Sequence, residues 1–222
     1  VSHDQPDLAE LLAFQRPTSF EVWIDPLSPA TALLLPYIDL DGRAHGGRPW
    51  RFRGHDEVAM RLLPEPGDEL SSLAARCILA VKTWAVQRSH GDTLVPMDYE
   101  LPWGYLGNLL RDLDAVRARG LPHLVALAGR EGDWLGDWVA EYREHPAIHD
   151  ALTAERQTAQ IESITEAPSL CVGDLIYEPA SMPDDINDQV ALILDRQRGE
   201  QQDLRIDIRG GTLQERLARR GS

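Results

Sequence analysis

The chain has 222 residues, 43% of them hydrophobic and 26% charged, and its 22 basic against 36 acidic side chains give a net charge of −14. That composition is ordinary for a folded globular protein, and the length suits one domain carrying an insertion. The acidity argues against nucleic acid and anionic membranes as partners, and no apolar run approaches the ~20 residues needed to cross a bilayer.

Residues 1–18 read as a leader with one short amphipathic turn around Leu8, Leu11 and Leu12. Residues 1–7 are polar and acidic, without the basic and apolar regions of a signal peptide, so a cytoplasmic protein is expected. Residues 19–25 (Ser-Phe-Glu-Val-Trp-Ile-Asp) alternate apolar and polar side chains as a strand does. Pro26-Leu27 turns the chain into Ser28-Pro29-Ala30-Thr31, and an apolar run predicts a helix over about 29–40. A reactive thiol at the first position of such a small-Pro-small box would be stabilised by helix N-terminal amides. Here that position is Ser28, and the second thiol position is Thr31.

Residues 39–47 form a turn-rich loop, and residues 49–53 place Trp50 and Phe52 between arginines as a short strand would. Arg48, Arg51 and Arg53, like the arginines of residues 205–220, read as solvated faces. From Glu69, Leu70, Leu73, Ala74, Cys77, Val81 and Trp84 fall on one helical face, closing at His90-Gly91. Further helices are expected at about 103–119, at 121–142 with a break near Gly129 to Gly132, and at 146–160 behind Pro146. β character returns at residues 168–172 and 175–177 around a Gly173-Asp174 turn. Residues 183–196 read as a last helix and residues 199–222 as a tail. This gives one domain over 19–198 with a helical insertion at about 69–145.

Pro168 opens a strand, where its missing donor is tolerated, and an X-Pro bond there can be cis. A cis bond would leave the backbone of Ala167 open to an extended ligand. The order strand, box, helical insertion, helix, Pro-opened hairpin and terminal helix resembles the DsbA-like branch of the thioredoxin superfamily. The matching stretches are Trp23-Ile-Asp-Pro-Leu-Ser-Pro-Ala-Thr31 and Glu166-Ala-Pro-Ser-Leu170, with residues 145–155 similar to the helix leading into the family's cis-proline. The resemblance implies an α/β fold, a thioredoxin-like sheet with an inserted helical subdomain. The Ile-Asp-Pro-Leu run is similar to the cytosolic group that includes the ClpXP adaptor for the Spx regulator, which carries Cys-Pro-x-Cys directly afterwards. Ser28-Pro29 is similar instead to the kappa-class glutathione transferases and 2-hydroxychromene-2-carboxylate isomerases, where the resemblance implies a serine hydroxyl against the glutathione sulfur. Ala30 stands where that branch carries an aromatic residue.

Ser28 can cap the following turn, contact a thiolate, or do both. No histidine and carboxylate stand in a recognisable relation to it for nucleophilic catalysis. Thr31 offers a second hydroxyl. Asp25 is either a buried acid beside the box or an exposed turn residue, the commoner fate of an Asp ending a strand. His145 and His149 lack a third ligand and read as solvated, so no metal is expected. Trp134 and Trp138 read as the packing face of an insertion helix. Cys77 and Cys171 share no redox spacing and read as small buried hydrophobes.

Dithiol exchange needs a thiolate, so the ordinary oxidoreductase activity of such a fold is not expected. The first expectation is a non-redox binding or adaptor module that presents Ser28, Pro29, Thr31, Ala167 and Pro168 to an extended peptide or protein partner. The second is a glutathione-dependent transferase or isomerase, with Ser28 orienting this small thiol cofactor.

Overall fold

The computed structural model describes residues 7–13, 20–34, 58–89, 97–172 and 175–177. The chain divides into two compact units, Val1–Ser181 and Met182–Ser222, and every described residue belongs to the first. The expectations for the loop at 39–47, the strand at 49–53, the helix at 183–196 and the tail lie outside the described residues.

Four strands form one sheet in the order β2-β1-β3-β4: β1 (Phe20–Ile24), β2 (Val58–Leu62), β3 (Ser169–Val172) and β4 (Leu175–Tyr177). β2 lies parallel to β1, with Trp23 opposite Arg61. β3 lies antiparallel to β1, with Trp23 opposite Ser169 and Glu21 opposite Cys171, and β4 is antiparallel to β3. The parallel strands β1 and β2 are separated by a long crossover segment and the antiparallel strands β3 and β4 by two residues, whereas β3 returns to pair with β1 only after the helical insertion. This is a thioredoxin-like sheet.

The described helices are α1 (Leu8–Ala13), α2 (Glu69–Ser89), α3 (Met97–Arg111), α4 (Leu113–Arg119), α5 (Leu121–Glu131), α6 (Asp133–Tyr142) and α7 (Pro146–Ile161). Asp68 starts α2, its Oδ1 accepting the amides of Leu70 and Ser71 at 3.0 Å each. Pro146 takes the first position of α7, and His145 caps it by accepting Ala147 N on Nδ1 at 3.2 Å. Gly120 ends α4 at φ 62°, a left-handed conformation that favours glycine, and its amide donates to Val116 O at 2.7 Å. α2 to α6 form the inserted subdomain, with Cys77, Val81, Leu106, Leu109, Leu127 and Val139 buried in its core. Each such fully buried aliphatic side chain contributes roughly 1.5–3 kcal/mol. Against the sheet, Trp23 and Cys171 pack with Ala159 and Ile164. Since side chains alternate across a strand, Trp23, Glu21, Arg61 and Cys171 share this face.

Four sequence expectations change. The helix after the box is a 3-10 turn at Thr31–Leu34 within the described residues. The segment at 103–119 is two helices parted at Asp112, and the first begins at Met97 with Pro102 inside it. That proline forfeits one early backbone bond, while Trp103, Tyr105 and Leu106 just after it are buried. β2 was not anticipated. Trp134 is 76% exposed, because the buried stripe of α6 is Leu135 and Val139 and Trp134 lies off it. Trp138 sits nearer the stripe and donates from Nε1 to Thr83 Oγ1 at 3.2 Å.

Candidate functional site

β1 ends at Ile24, and the chain turns at once. Asp25 is 6% exposed, which settles it as buried rather than as an exposed turn residue. Its Oδ1 accepts Leu27 N at 2.9 Å and the hydroxyl of Ser71 from α2, and its Oδ2 accepts Glu65 N at 3.3 Å. A carboxylate that far from water needs such donors, since burial without partners costs several kcal/mol. Asp25 thereby ties the end of β1 to the loop after β2 and to the first turn of α2.

The box follows in a run of three turns. Ser28 N donates to Asp25 O at 3.2 Å, Thr31 N to Ser28 O at 3.0 Å, and Ala32 N to Pro29 O at 3.1 Å. The Ser28 hydroxyl accepts Ala30 N at 3.2 Å, so it does cap this turn. It keeps its proton to donate, and the side chain is half-buried, so capping leaves room for a ligand contact. Pro29 is exposed, whereas Thr31 is fully buried and its Oγ1 has no hydrogen-bond partner. The two box hydroxyls therefore differ in access.

On the other strand, the Ala167–Pro168 peptide bond is cis. The last pair between β1 and β3 is Trp23 with Ser169. One step further, the register carries Pro168 and Ala167 to the sheet end where β1 runs into Asp25 and the box. Pro168 is buried and Ala167 half-exposed. Ser169 turns its hydroxyl back to Glu166 O at 2.5 Å. Among the described residues, nothing hydrogen-bonds to the Ala167 backbone.

Arg117 is a group the sequence did not point to. From α4 it donates through one terminal nitrogen to Leu27 O at 3.0 Å, and it pairs with Asp68 at 3.5 Å. A guanidinium thus stands beside the residue preceding Ser28, reaching there from 90 positions away. No local pattern announces such a contact.

His145 and His149 are both exposed, and His149 pairs with Glu144 at 3.1 Å. Among the described residues no group of three His, Cys, Asp or Glu side chains could hold a metal, and no helix is long and apolar enough to cross a membrane. Cys77 and Cys171 are unpaired and buried. Burial is the main cause that pushes both thiols up, Cys77 to about 12 and Cys171 to about 11. With Ser28 and Thr31 in the box and no Cys-x-x-Cys in the chain, ordinary dithiol–disulfide exchange has no nucleophile here.

No protein-family model matches the chain, and no curated protein does. Solved structures match. A Pseudomonas syringae protein provisionally named a protein-disulfide isomerase is 19% identical, with a TM-score of 0.53, over 84% of this chain and 99% of that one. MdbA, a thiol-disulfide oxidoreductase from Corynebacterium diphtheriae, is 18% identical, with a TM-score of 0.52, over 76% of this chain and 81% of that one. DsbM, a cytosolic disulfide reductase from Pseudomonas aeruginosa solved with GSH, is 12% identical, with a TM-score of 0.52, over 81% and 98%. At these identities the likeness is one of fold. The chain has the thioredoxin-like fold of the DsbA kind, with an inserted helical subdomain, and its Ser-Pro-Ala-Thr box carries no thiols.

Proposed function

We propose that the protein is a non-redox binding or adaptor module whose partner, an extended peptide or protein segment, lies across the box and the Ala167–Pro168 junction. The observation that carries this reading is the backbone of Ala167, which no described residue hydrogen-bonds, at the sheet end where the box lies. Strand-addition recognition needs such a row of backbone groups, with pockets beside it for side chains. Of the expected residues, Ser28, Pro29 and Ala167 form the contact surface, with the buried Thr31 and Pro168 behind it. The half-buried Ser28 hydroxyl supplies a polar contact where a thiol would otherwise react. In this reading the protein acts in the cytoplasm, consistent with its unpaired cysteines, and its net charge of −14 steers it away from nucleic acid.

A glutathione-dependent transferase or isomerase is the second reading, favoured by one observation: Ser28 caps its turn as an acceptor and still has a proton for a thiolate. Thermal unfolding with and without glutathione separates the two. The adaptor reading expects no shift in the wild type, together with saturable binding of extended peptides selected from a library. Glutathione stabilisation that vanishes in Ser28→Ala, with the fold intact, would reverse the ranking.

A further inference from the structure

A polar cavity of about 440 Å³ lies between α2 and α7, closed at one end by the Pro66-Gly67 turn. Its polar walls are Ser72 and Arg76 from α2 and His149, Thr153, Arg156 and Gln160 from α7. These positions follow helical spacing, four apart on α2 and four, three and four apart on α7, so each set lines one face of its helix. In a chain with fourteen more acidic than basic side chains, two guanidiniums and an imidazole in one concavity need an explanation.

The local carboxylates do not pair with every cation. Glu69 also lines the cavity, and Glu144 bonds Arg76 at 3.2 Å and His149 at 3.1 Å. Arg156 has no such partner: it donates to the Ser72 hydroxyl at 2.9 Å, and among the described residues no carboxylate lies within ion-pair distance of it. Guanidinium donors left over in a concave, hydroxyl-lined site match the oxygens of a phosphate group, which accept several such bonds at once.

We infer that this cavity binds a small phosphate-bearing molecule, with Arg156 as the principal phosphate ligand and Arg76, His149 and the Ser72 hydroxyl completing the set. The volume suits a metabolite rather than a macromolecule. The site is built from α2, α7 and the turns that precede them and does not depend on the reading of the box.

The test is calorimetric titration of the full chain with inorganic phosphate at fixed ionic strength, with acetate as the carboxylate arm. Saturable phosphate binding is expected in the wild type, at least about tenfold weaker in Arg156→Gln and measurably weaker in His149→Gln, whose exposed position spares the fold. Circular dichroism of both variants checks folding, and His149→Gln decides the matter if Arg156→Gln fails to fold. Three results would overturn the assignment: no saturable phosphate binding, acetate bound as tightly as phosphate, or phosphate binding that survives both substitutions unchanged.

Discussion

Cys77 sits inside the helical subdomain against Tyr105 of α3, and loss of hydration pushes its thiol from 9.0 to about 12 despite the opposing fields of Arg143 and Arg76. Tyr105, also hydrogen-bonded to Leu124 O at 3.0 Å, is raised by the same burial. The unfolded chain would ionise this cysteine near 9.0, the folded chain only near about 12. Between these values the unfolded state holds fewer protons, so stability is full below pH 9 and falls as pH rises through the window. The slope from this thiol is at most about 1.4 kcal/mol per pH unit. Urea unfolding between pH 8 and 11 should show the decline, and Cys77→Ala should flatten it; an equal slope in both proteins would contradict it. At this scale the sequence was partly legible. Two cysteines without spacing are readable as buried hydrophobes, and Ser28 as a cap. The burial of Asp25 was not, because Ser71 and the Glu65 amide reach it from other elements.

The edge of the sheet shows how one helix secures a strand that the sequence hardly marks. Leu63 N donates to Ile24 O at 2.8 Å, so the amide of Leu62 points away from β1. Glu155 on α7 accepts that amide directly and lies 3.9 Å from Arg61, which also binds Glu21 at 2.7 Å. Burial raises the Glu155 carboxyl, while the Leu62 amide, Lys82 and Arg61 oppose it. Glu155→Ala should remove about 1–3 kcal/mol by leaving the Leu62 amide without an acceptor, and Glu155→Gln, which keeps an acceptor, should recover most of that. Chemical denaturation at neutral pH measures both, and equal losses would show that the acceptor is not what matters. The contrast with the helices explains what could be read. α2 and α7 repeat apolar residues at three-and-four spacing over several turns, which no strand imitates. β2 is five residues, Val-Ala-Met-Arg-Leu, without clean alternation, and it becomes a strand because β1 pairs with one edge of it while Glu155 accepts the Leu62 amide on the other. Trp134 fails for a related reason: i, i+4 spacing says that two tryptophans share a side of α6, not which side is buried.

Across the whole molecule, the candidate site is assembled from pieces far apart in the chain: the turn at 25–31, the loop after β2, Arg117 of α4 and the Ala167–Pro168 junction. Placing thiols in the box tests whether the frame holds the shape that dithiol chemistry requires. Thr31 N bonds Ser28 O at 3.0 Å, so the two residues are the ends of one tight turn. Such a turn keeps its end Cα atoms within about 7 Å, close to the upper limit a disulfide allows. Access is graded as well, with Ser28 half-buried and Thr31 fully buried. Ser28→Cys alone should exchange with oxidised glutathione to give a mixed disulfide and release reduced glutathione, while Thr31→Cys alone should stay unreactive in the native state. With both substitutions, the buried thiol can displace glutathione from the outer one, so an internal disulfide should form and give a measurable reduction potential in a glutathione buffer. Mass spectrometry of the trapped species follows each step. A double variant that stops at the mixed disulfide would mean that this box lacks the geometry as well as the cysteines.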